Sequence, residues 1–420
     1  MVDISTMDWE IGVKQSNLAK WYDRFNLVEE FVISPDGEKI AAIVNLAEGE
    51  YTVCVNGETW DQVFDKIWYL RFSPDNRLTA IVSDMGEWTI AVDGQTWPEK
   101  YSFVWSTLFS KDGKRIAAAI QQEMQYCLAV DGLTWPNSYT SLTSPILSEN
   151  GHSSAAAVQI DPFKEGEIDK FQKGAFTAAH DGIAWKQKFV NVWNPVFNSD
   201  SSKLAAEVRL NLYDYTIAVN GIPWQQTFSA VWTPLFDPEG LKVVAPVRIK
   251  GQWTMACNGD QIWEHSFVQL WHQMYSPNGK NLAAIVAPDF GRWTIAVDGK
   301  PWKTTVSDLV SEALFSPDSA KIAAVIKDKN RWGIILDGSV WKNRFDMVWQ
   351  PVFSPDSQHL AAKVEQNGKY SIIIDNKLWK EQYNAVWNPV FSPDSRKLLF
   401  CTIDKGVYYR RVLPIADILG

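Results

Sequence analysis

In this chain of 420 residues, 49 Asp and Glu outnumber 40 Lys and Arg; the net charge of −9 argues against a binder that tracks nucleic-acid phosphates. Hydrophobic residues make up 46% of it, enough for a large core. The cysteines Cys54, Cys127, Cys257 and Cys401 stand too far apart for a C-x-x-C metal or haem motif and read as single buried thiols of a reducing cytoplasm.

In chain order, the opening MVDISTMDWEIGVKQ has neither a basic nor an apolar leader segment, so export is not expected. Trp9-Glu10-Ile11-Gly12-Val13 matches the third strand of a unit that then repeats along the chain, and Trp21 to Phe25 matches its fourth. From there a Ser-Pro-Asp-like turn recurs with its Ser position at 34, 73, 110, 148, 198, 237, 276, 316, 354 and 392. Full Phe-Ser-Pro-Asp copies stand at Phe72–Asp75, Phe315–Asp318, Phe353–Asp356 and Phe391–Asp394. Eight of the nine intervals are 37 to 40 residues, and the one from 148 to 198 is 50.

Each unit predicts four short strands. An apolar run such as Val348-Trp349-Gln350-Pro351-Val352-Phe353 leads into the turn. A run such as Lys203-Leu204-Ala205-Ala206-Glu207-Val208 follows, then an aromatic-Thr-Ile-Ala-Val strand ending in Asp-Gly or Asn-Gly, as in Trp293 to Gly299. The fourth carries Trp, as in Lys300-Pro301-Trp302. Asp-Gly and Asn-Gly supply the positive φ angles of a two-residue hairpin, and proline fixes φ in the other turn. A period near 40 residues with four strands is the signature of propeller blades. The fold expected is all-β: a closed β-propeller of about ten four-stranded blades, one domain over residues 1–420, with N-terminal strands completing the C-terminal blade and hiding a sheet edge. The uncharged stretch Tyr215 to Phe236 contains Asn220-Gly221, Pro223 and Pro234, which read as turns, so no membrane span is expected.

The 22 tryptophans fall into three columns of the repeat. One follows the Asp-Gly turn, as at Trp60, Trp97 and Trp135; one lies in the first strand, as at Trp68, Trp105 and Trp193; one opens the third strand, as at Trp88 and Trp253. Regular register predicts packing between blades rather than an electron relay or a sugar-stacking platform, because a functional site would break the repeat.

Three features do break it. The long interval holds a charged insertion, about 161–173, with Phe163, Lys164 and Phe171 as candidate partner contacts, weighed against a solvated loop. The tail, about 408–420, opens with Tyr408, Tyr409, Arg410 and Arg411, candidates for docking on a partner, weighed against a strand packing back on the fold. In the first-strand column, Glu29, Thr143 and Ser311 replace Trp and mark a different surface unless they prove as buried as the indoles they replace.

No G-x-S-x-G elbow, P-loop or H-E-x-x-H is present, and the five histidines form no i, i+4 pair. No catalytic, cofactor or metal residue is therefore assigned. The Phe-Ser-Pro-Asp…Leu-Ala-Ala…Thr-Ile-Ala-Val-Asp-Gly unit resembles the WD40-like propeller repeat of TolB-type proteins. It departs from eukaryotic WD40 repeats in lacking a regular Gly-His or Trp-Asp dipeptide, and from TolB in lacking an export signal and an N-terminal α/β domain. In its tryptophan content it is similar, more narrowly, to the tryptophan-rich cytoplasmic subunit of the Tmc-type transmembrane redox complex of sulfate-reducing bacteria. That resemblance implies a cofactor-free, non-catalytic scaffold at the inner face of the cell membrane, with cytochrome b and iron–sulfur subunits as partners. A small-ligand or glycan binder using the central channel, or a cryptic hydrolase or lyase there, are the alternatives; polar clusters with no repeat equivalent would favour them.

Overall fold

The structure, a computed structural model, describes residues 3–164 and 166–419. Its fold is the all-β propeller fold, with ten antiparallel blades among the described residues. Blades 1 to 10 span 27–59, 66–96, 103–134, 141–184, 191–223, 235–261, 269–301, 309–340, 347–378 and 385–414, the last completed by Gly12–Asn17. Two compact units divide the chain. One holds Phe25–Pro35 and Lys39–Glu264, with blades 1 to 6; the other holds Asp3–Arg24, Asp36–Glu38 and the chain from His265 on, with blades 7 to 10. No described helix is long and apolar enough to cross a membrane.

The second strand is the centre of every blade. Leu204, Ala205, Ala206 and Val208 are buried, as are Leu360, Ala361, Ala362 and Val364. Neighbours cover both faces, so this strand reads as an apolar run rather than an alternation. Its start is pinned twice. In blade 8 the Lys321 N–H donates to Ser316 Oγ (2.9 Å) and the next N–H, of Ile322, donates to Asp337 Oδ1 (2.8 Å). Ser316 is the serine of Phe-Ser-Pro-Asp, and Asp337 is the first residue of the Asp-Gly turn. Its hydroxyl also donates to Asp318 Oδ1 (2.6 Å), which holds the Asp318 carboxyl below its ordinary value of 3.8. Blades 5 and 6 keep the first clamp with other residues: Asn198 Oδ1 accepts from Lys203 N–H and Asp237 Oδ1 from Lys242 N–H.

The same turns join blade to blade within each unit. Ser319, Ser357 and Ser395 follow the turn, and each hydroxyl accepts an N–H from the turn of the preceding blade, at Asn278, Asp318 and Asp356. The Lys39, Arg77, Lys203 and Lys321 side chains reach forward to carbonyls of Asn76, Gly113, Gly240 and Ser357. At the other hairpin, the fourth-strand Trp of one blade lies under the turn glycine of the next. A Cβ on Gly182 would stand 2.8 Å from Trp135 Cβ, and its φ of +78° already requires glycine.

The N-terminal strand does complete the C-terminal blade, but as its fourth strand rather than its third. Val407–Pro414 pairs along its whole length with Lys397–Asp404 and occupies the third position. Gly12–Asn17 is left the outer edge, pairing with Val407–Val412. The segment expected as a fourth strand is instead the short helix Ala19–Arg24, with Trp21 buried. In six blades the first strand carries a bulge at one position, with Tyr69, Ser106, Ser144, Asn194, His272 and Glu312 all at φ between +46° and +55°.

The serine clamp is testable. Ser316→Ala leaves a buried N–H unpaired and is expected to lower stability in urea unfolding by about 1–3 kcal/mol. Ser316→Asn, which copies Asn198, is expected to recover most of that loss. Equal loss in both variants would show that the hydroxyl's acceptor role is not what matters.

Candidate functional site

The strand register puts one residue from each of the first three strands of a blade on a common face. In blade 2 these are Trp68, Ile81 and Trp88; in blade 5, Trp193, Glu207 and Tyr215; in blade 9, Trp349, Lys363 and Tyr370. The outer two are normally aromatic and lie close: ring centroids are 4.4 Å apart for Trp68–Trp88, 5.3 Å for Trp232–Trp253 and 4.6 Å for Trp271–Trp293. The tryptophan columns therefore differ in burial. Fourth-strand rings such as Trp97 and Trp135 are buried between blades, whereas first-strand Trp68 and Trp232 are 46% and 44% exposed. In blades 2 and 3 the rings form a continuous ladder, Trp88–Trp68–Phe103–Trp105–Tyr126, in which Trp88 is buried and Trp68 and Phe103 are exposed.

The middle residue is apolar in most blades, Ile43, Ile81, Val325 for example, and charged at Glu207 and Lys363. Glu207 is 9% exposed. Burial pushes its carboxyl up to about 7, against a hydrogen bond from Asn194 Nδ2 (3.3 Å) that pulls it down. Lys363 places its ammonium 4.1 Å from the Trp349 ring centre and 4.9 Å from that of Tyr370. These two departures were visible as a break in the Leu-Ala-Ala-x-Val column, but the charge lay inside a segment otherwise read as strand.

Where the repeat loses its first-strand Trp, Glu29 and Thr143 are exposed, as Trp68 and Trp232 are, and Ser311 is half-buried like Trp105 and Trp193. At Glu29 the missing indole leaves a cavity of about 390 Å³, floored by Ile43 and Tyr51 and walled by Asp65, Lys66, Ile67, Trp68 and Tyr69 of blade 2. A larger cavity of about 600 Å³ lies between the outer strands of blades 2 and 3, lined in part by Tyr101 and Trp135.

The insertion sits between the second and third strands of blade 4 and holds the one-turn helix Ile168–Gln172. Phe163 and Phe171 pack on each other (5.8 Å) and Phe163 on Phe176 (6.2 Å), while Lys164 is exposed; Glu165 lies outside the described residues. The tail is a strand whose residues alternate. Tyr408 and Arg410 are buried, and Tyr409 and Arg411 lie on the other face, with Arg411 against the rings of Tyr383 and Tyr409. Tyr408 donates to the Gly37 carbonyl (2.6 Å), and Arg410 donates to the carbonyls of Asp36 and Asp8 and pairs with Glu38 (3.0 Å). The structure thus brings Tyr408 and Arg410 together as internal contacts of one unit.

A row of exposed apolar hairpin tips escaped the sequence reading. At the turn between the second and third strands, blades 2, 3, 5 and 7 present Met85, Met124, Tyr213 and Phe290, and the insertion of blade 4 presents Ile168. Met85 is 88%, Met124 73% and Tyr213 80% exposed. The equivalent tips of blades 1, 6, 8, 9 and 10 carry Glu48, Lys250, Lys329, Asn367 and Lys405. An apolar side chain at a turn position, as in Met85-Gly86, is the signal that could have found them.

Burial pushes the thiols of Cys127 and Cys401 up to about 11 and 12, so neither is a thiolate at neutral pH. Among the described residues no group of His, Cys, Asp or Glu converges as a metal site.

No protein-family model matches the chain, and no curated protein matches it. Among solved structures, a crystal structure of a eukaryotic initiation factor is similar over 76% of this chain and 88% of its own, with 15% identity and a TM-score of 0.47. A structure of the Dos1 propeller is similar over 94% of each chain, with 12% identity and a TM-score of 0.33. Neither bears on what this chain does.

Glu207 gives a pH signature. Its carboxyl stays protonated in the folded state up to about 7, whereas in the unfolded chain it ionises near its ordinary 4.5. Unfolding therefore releases a proton between those values, and stability falls as pH rises through that window. Glu207→Gln is expected to remove the fall, a relative gain of about 3 kcal/mol at pH 8 over pH 4. Urea unfolding at the two pH values checks it; an unchanged pH profile would mean that Glu207 is folded as a carboxylate.

Proposed function

We propose that this chain is a non-catalytic protein-interaction subunit that docks partners on the second-to-third-strand hairpins of blades 2 to 5. One observation carries this reading: the tips of blades 2, 3 and 5 carry exposed Met85, Met124 and Tyr213 and the insertion of blade 4 carries exposed Ile168, where a chain with a net charge of −9 has every reason to place charge. Exposed apolar patches of this kind mark interaction surfaces, and unbranched Met adapts to the shape of a partner. Trp68, Tyr69 and Arg71 on blade 2 add the residue types that dominate binding energy in protein interfaces.

The finer reading is that the partners are subunits of a membrane-associated electron-transfer complex, cytochrome b and iron–sulfur proteins among them, on its cytoplasmic side. Its support is the tryptophan-rich character of the sequence.

Native co-purification tests both. The tagged wild-type chain is expected to bring stable partners out of gently solubilised membranes, with visible haem or iron–sulfur absorbance on the finer reading. The triple variant Met85→Lys, Met124→Lys, Tyr213→Lys is expected to lose the partners without losing its fold, since exposed substitutions typically change stability by less than about 0.5 kcal/mol each. A wild-type chain recovered alone would sink the interaction reading; partners without chromophores would sink the redox reading.

A further inference from the structure

The cavity at Glu29 has an occupant that the rest of the molecule describes. We infer that it receives an arginine side chain of a partner protein, an inference that rests on the interaction reading above and names the chemistry of one contact in it.

The cavity exists because of one departure from the repeat. In blade 9 the common face holds Trp349, Lys363 and Tyr370, with the Lys363 ammonium over both rings. In blade 1 the same three positions hold Glu29, Ile43 and Tyr51. A carboxylate stands where the indole was, and no cation stands between. Elsewhere the protein's own cations cover such rings: Arg209 lies 5.4 Å from the Tyr215 ring, Lys327 5.5 Å from Trp332, and Arg71 lies against both Tyr69 (5.1 Å) and Phe109 (4.6 Å). The cavity at Glu29 offers Tyr51, Trp68 and Tyr69 as walls, and among the described residues no cation lies over the Tyr51 or Trp68 ring.

Its charges fit the same occupant. Asp65 Oδ2 is already used, accepting the Met85 N–H (2.8 Å). Neither the Glu29 carboxylate nor the Lys66 ammonium has a partner within the described residues. Lys66 is exposed on a flexible stem and opposes a cation, whereas Glu29 sits among the rings and attracts one. The lining as a whole carries two carboxylates against one ammonium. A guanidinium is favoured over an ammonium because its plane stacks on indole and phenol while its N–H groups pair with a carboxylate. At about 390 Å³ the space lies at the small end of ligand sites, roughly 300–1,000 Å³.

The test uses the full chain labelled with 5-fluorotryptophan, with the Trp68 fluorine resonance assigned through Trp68→Phe. The probe is N-acetyl-arginine methylamide. A saturable shift at Trp68 is expected, weakened roughly threefold by Glu29→Gln, tightened by Lys66→Gln, and abolished by Glu29→Trp, which restores the indole of the other blades. No saturable shift, or an equal shift from the acetyl-leucine or acetyl-glutamate methylamide, overturns the inference. Co-purification with Glu29→Trp separates the two readings. Partners held by wild type and lost by Glu29→Trp support the inference. Partners held equally by both overturn it and leave the interaction reading standing. A probe shift with no partner recovered from wild type overturns the partner assignment itself.

Discussion

Everything regular in this protein depends on how the buried central strand of each blade begins. A strand covered on both faces must have its first N–H groups satisfied before it enters the core, since no water reaches them there. Two side chains from two different turns do this in tandem, as Ser316 and Asp337 do for Lys321 and Ile322. The first turn joins the first strand to the second, and the second turn joins the third strand to the fourth. The pair therefore ties the four strands of a blade into one unit with four residue types: Ser, Pro, Asp and Gly. Asp318 and Asp394, within the Ser-Pro-Asp turns themselves, are held below the ordinary carboxylate value by the hydroxyls of Ser316 and Ser392 and by backbone N–H groups rather than by any catalytic neighbour.

That device explains why so much of the fold was legible from sequence. The clamp is local, so each copy leaves the same short motif at the same spacing, and counting Ser positions is counting blades. Asn198 and Asp237 were readable as degraded copies and still do the work of serine, because an amide or carboxylate oxygen accepts the same N–H. What was not legible depends on contacts between distant segments. The N-terminal strand has the pattern of a third strand, and only the prior occupation of that place by Val407–Pro414 makes it a fourth. The bulges at Tyr69 and its equivalents leave no common residue type, because the left-handed conformation is imposed by the strand pairing and not chosen by the side chain.

The tail shows the same limit in a charged setting. An arginine pair beside apolar residues looks like a docking segment when read as composition. Read as a strand, it has a period of two, which sends Arg410 inward and Arg411 outward. The inward guanidinium is compensated by two carbonyls and Glu38, and Tyr408 beside it binds the Gly37 carbonyl. The Asp36–Glu38 turn is thereby held in the same compact unit as the C-terminal strand. A Cβ at Gly37 would lie 2.6 Å from Cys401 Sγ, so the approach is as close as a backbone can make it.

The candidate site was half legible, for a reason that concerns repeats in general. A departure from a column can be seen in the sequence, but its consequence depends on what the neighbouring columns supply. Three charged substitutions on the same face of three blades have three different outcomes. Lys363 is absorbed by the two rings that flank it. Glu207, with one weak donor at Asn194 and no cation, is driven toward the neutral acid. Glu29 replaces a ring instead of sitting between two, so it removes volume as well as adding charge, and the first strand of blade 2 becomes the wall of a cavity. Charge that has an internal partner stabilises a blade, and charge that is buried without one is neutralised. Charge that opens a space beside exposed rings is the kind a partner can satisfy.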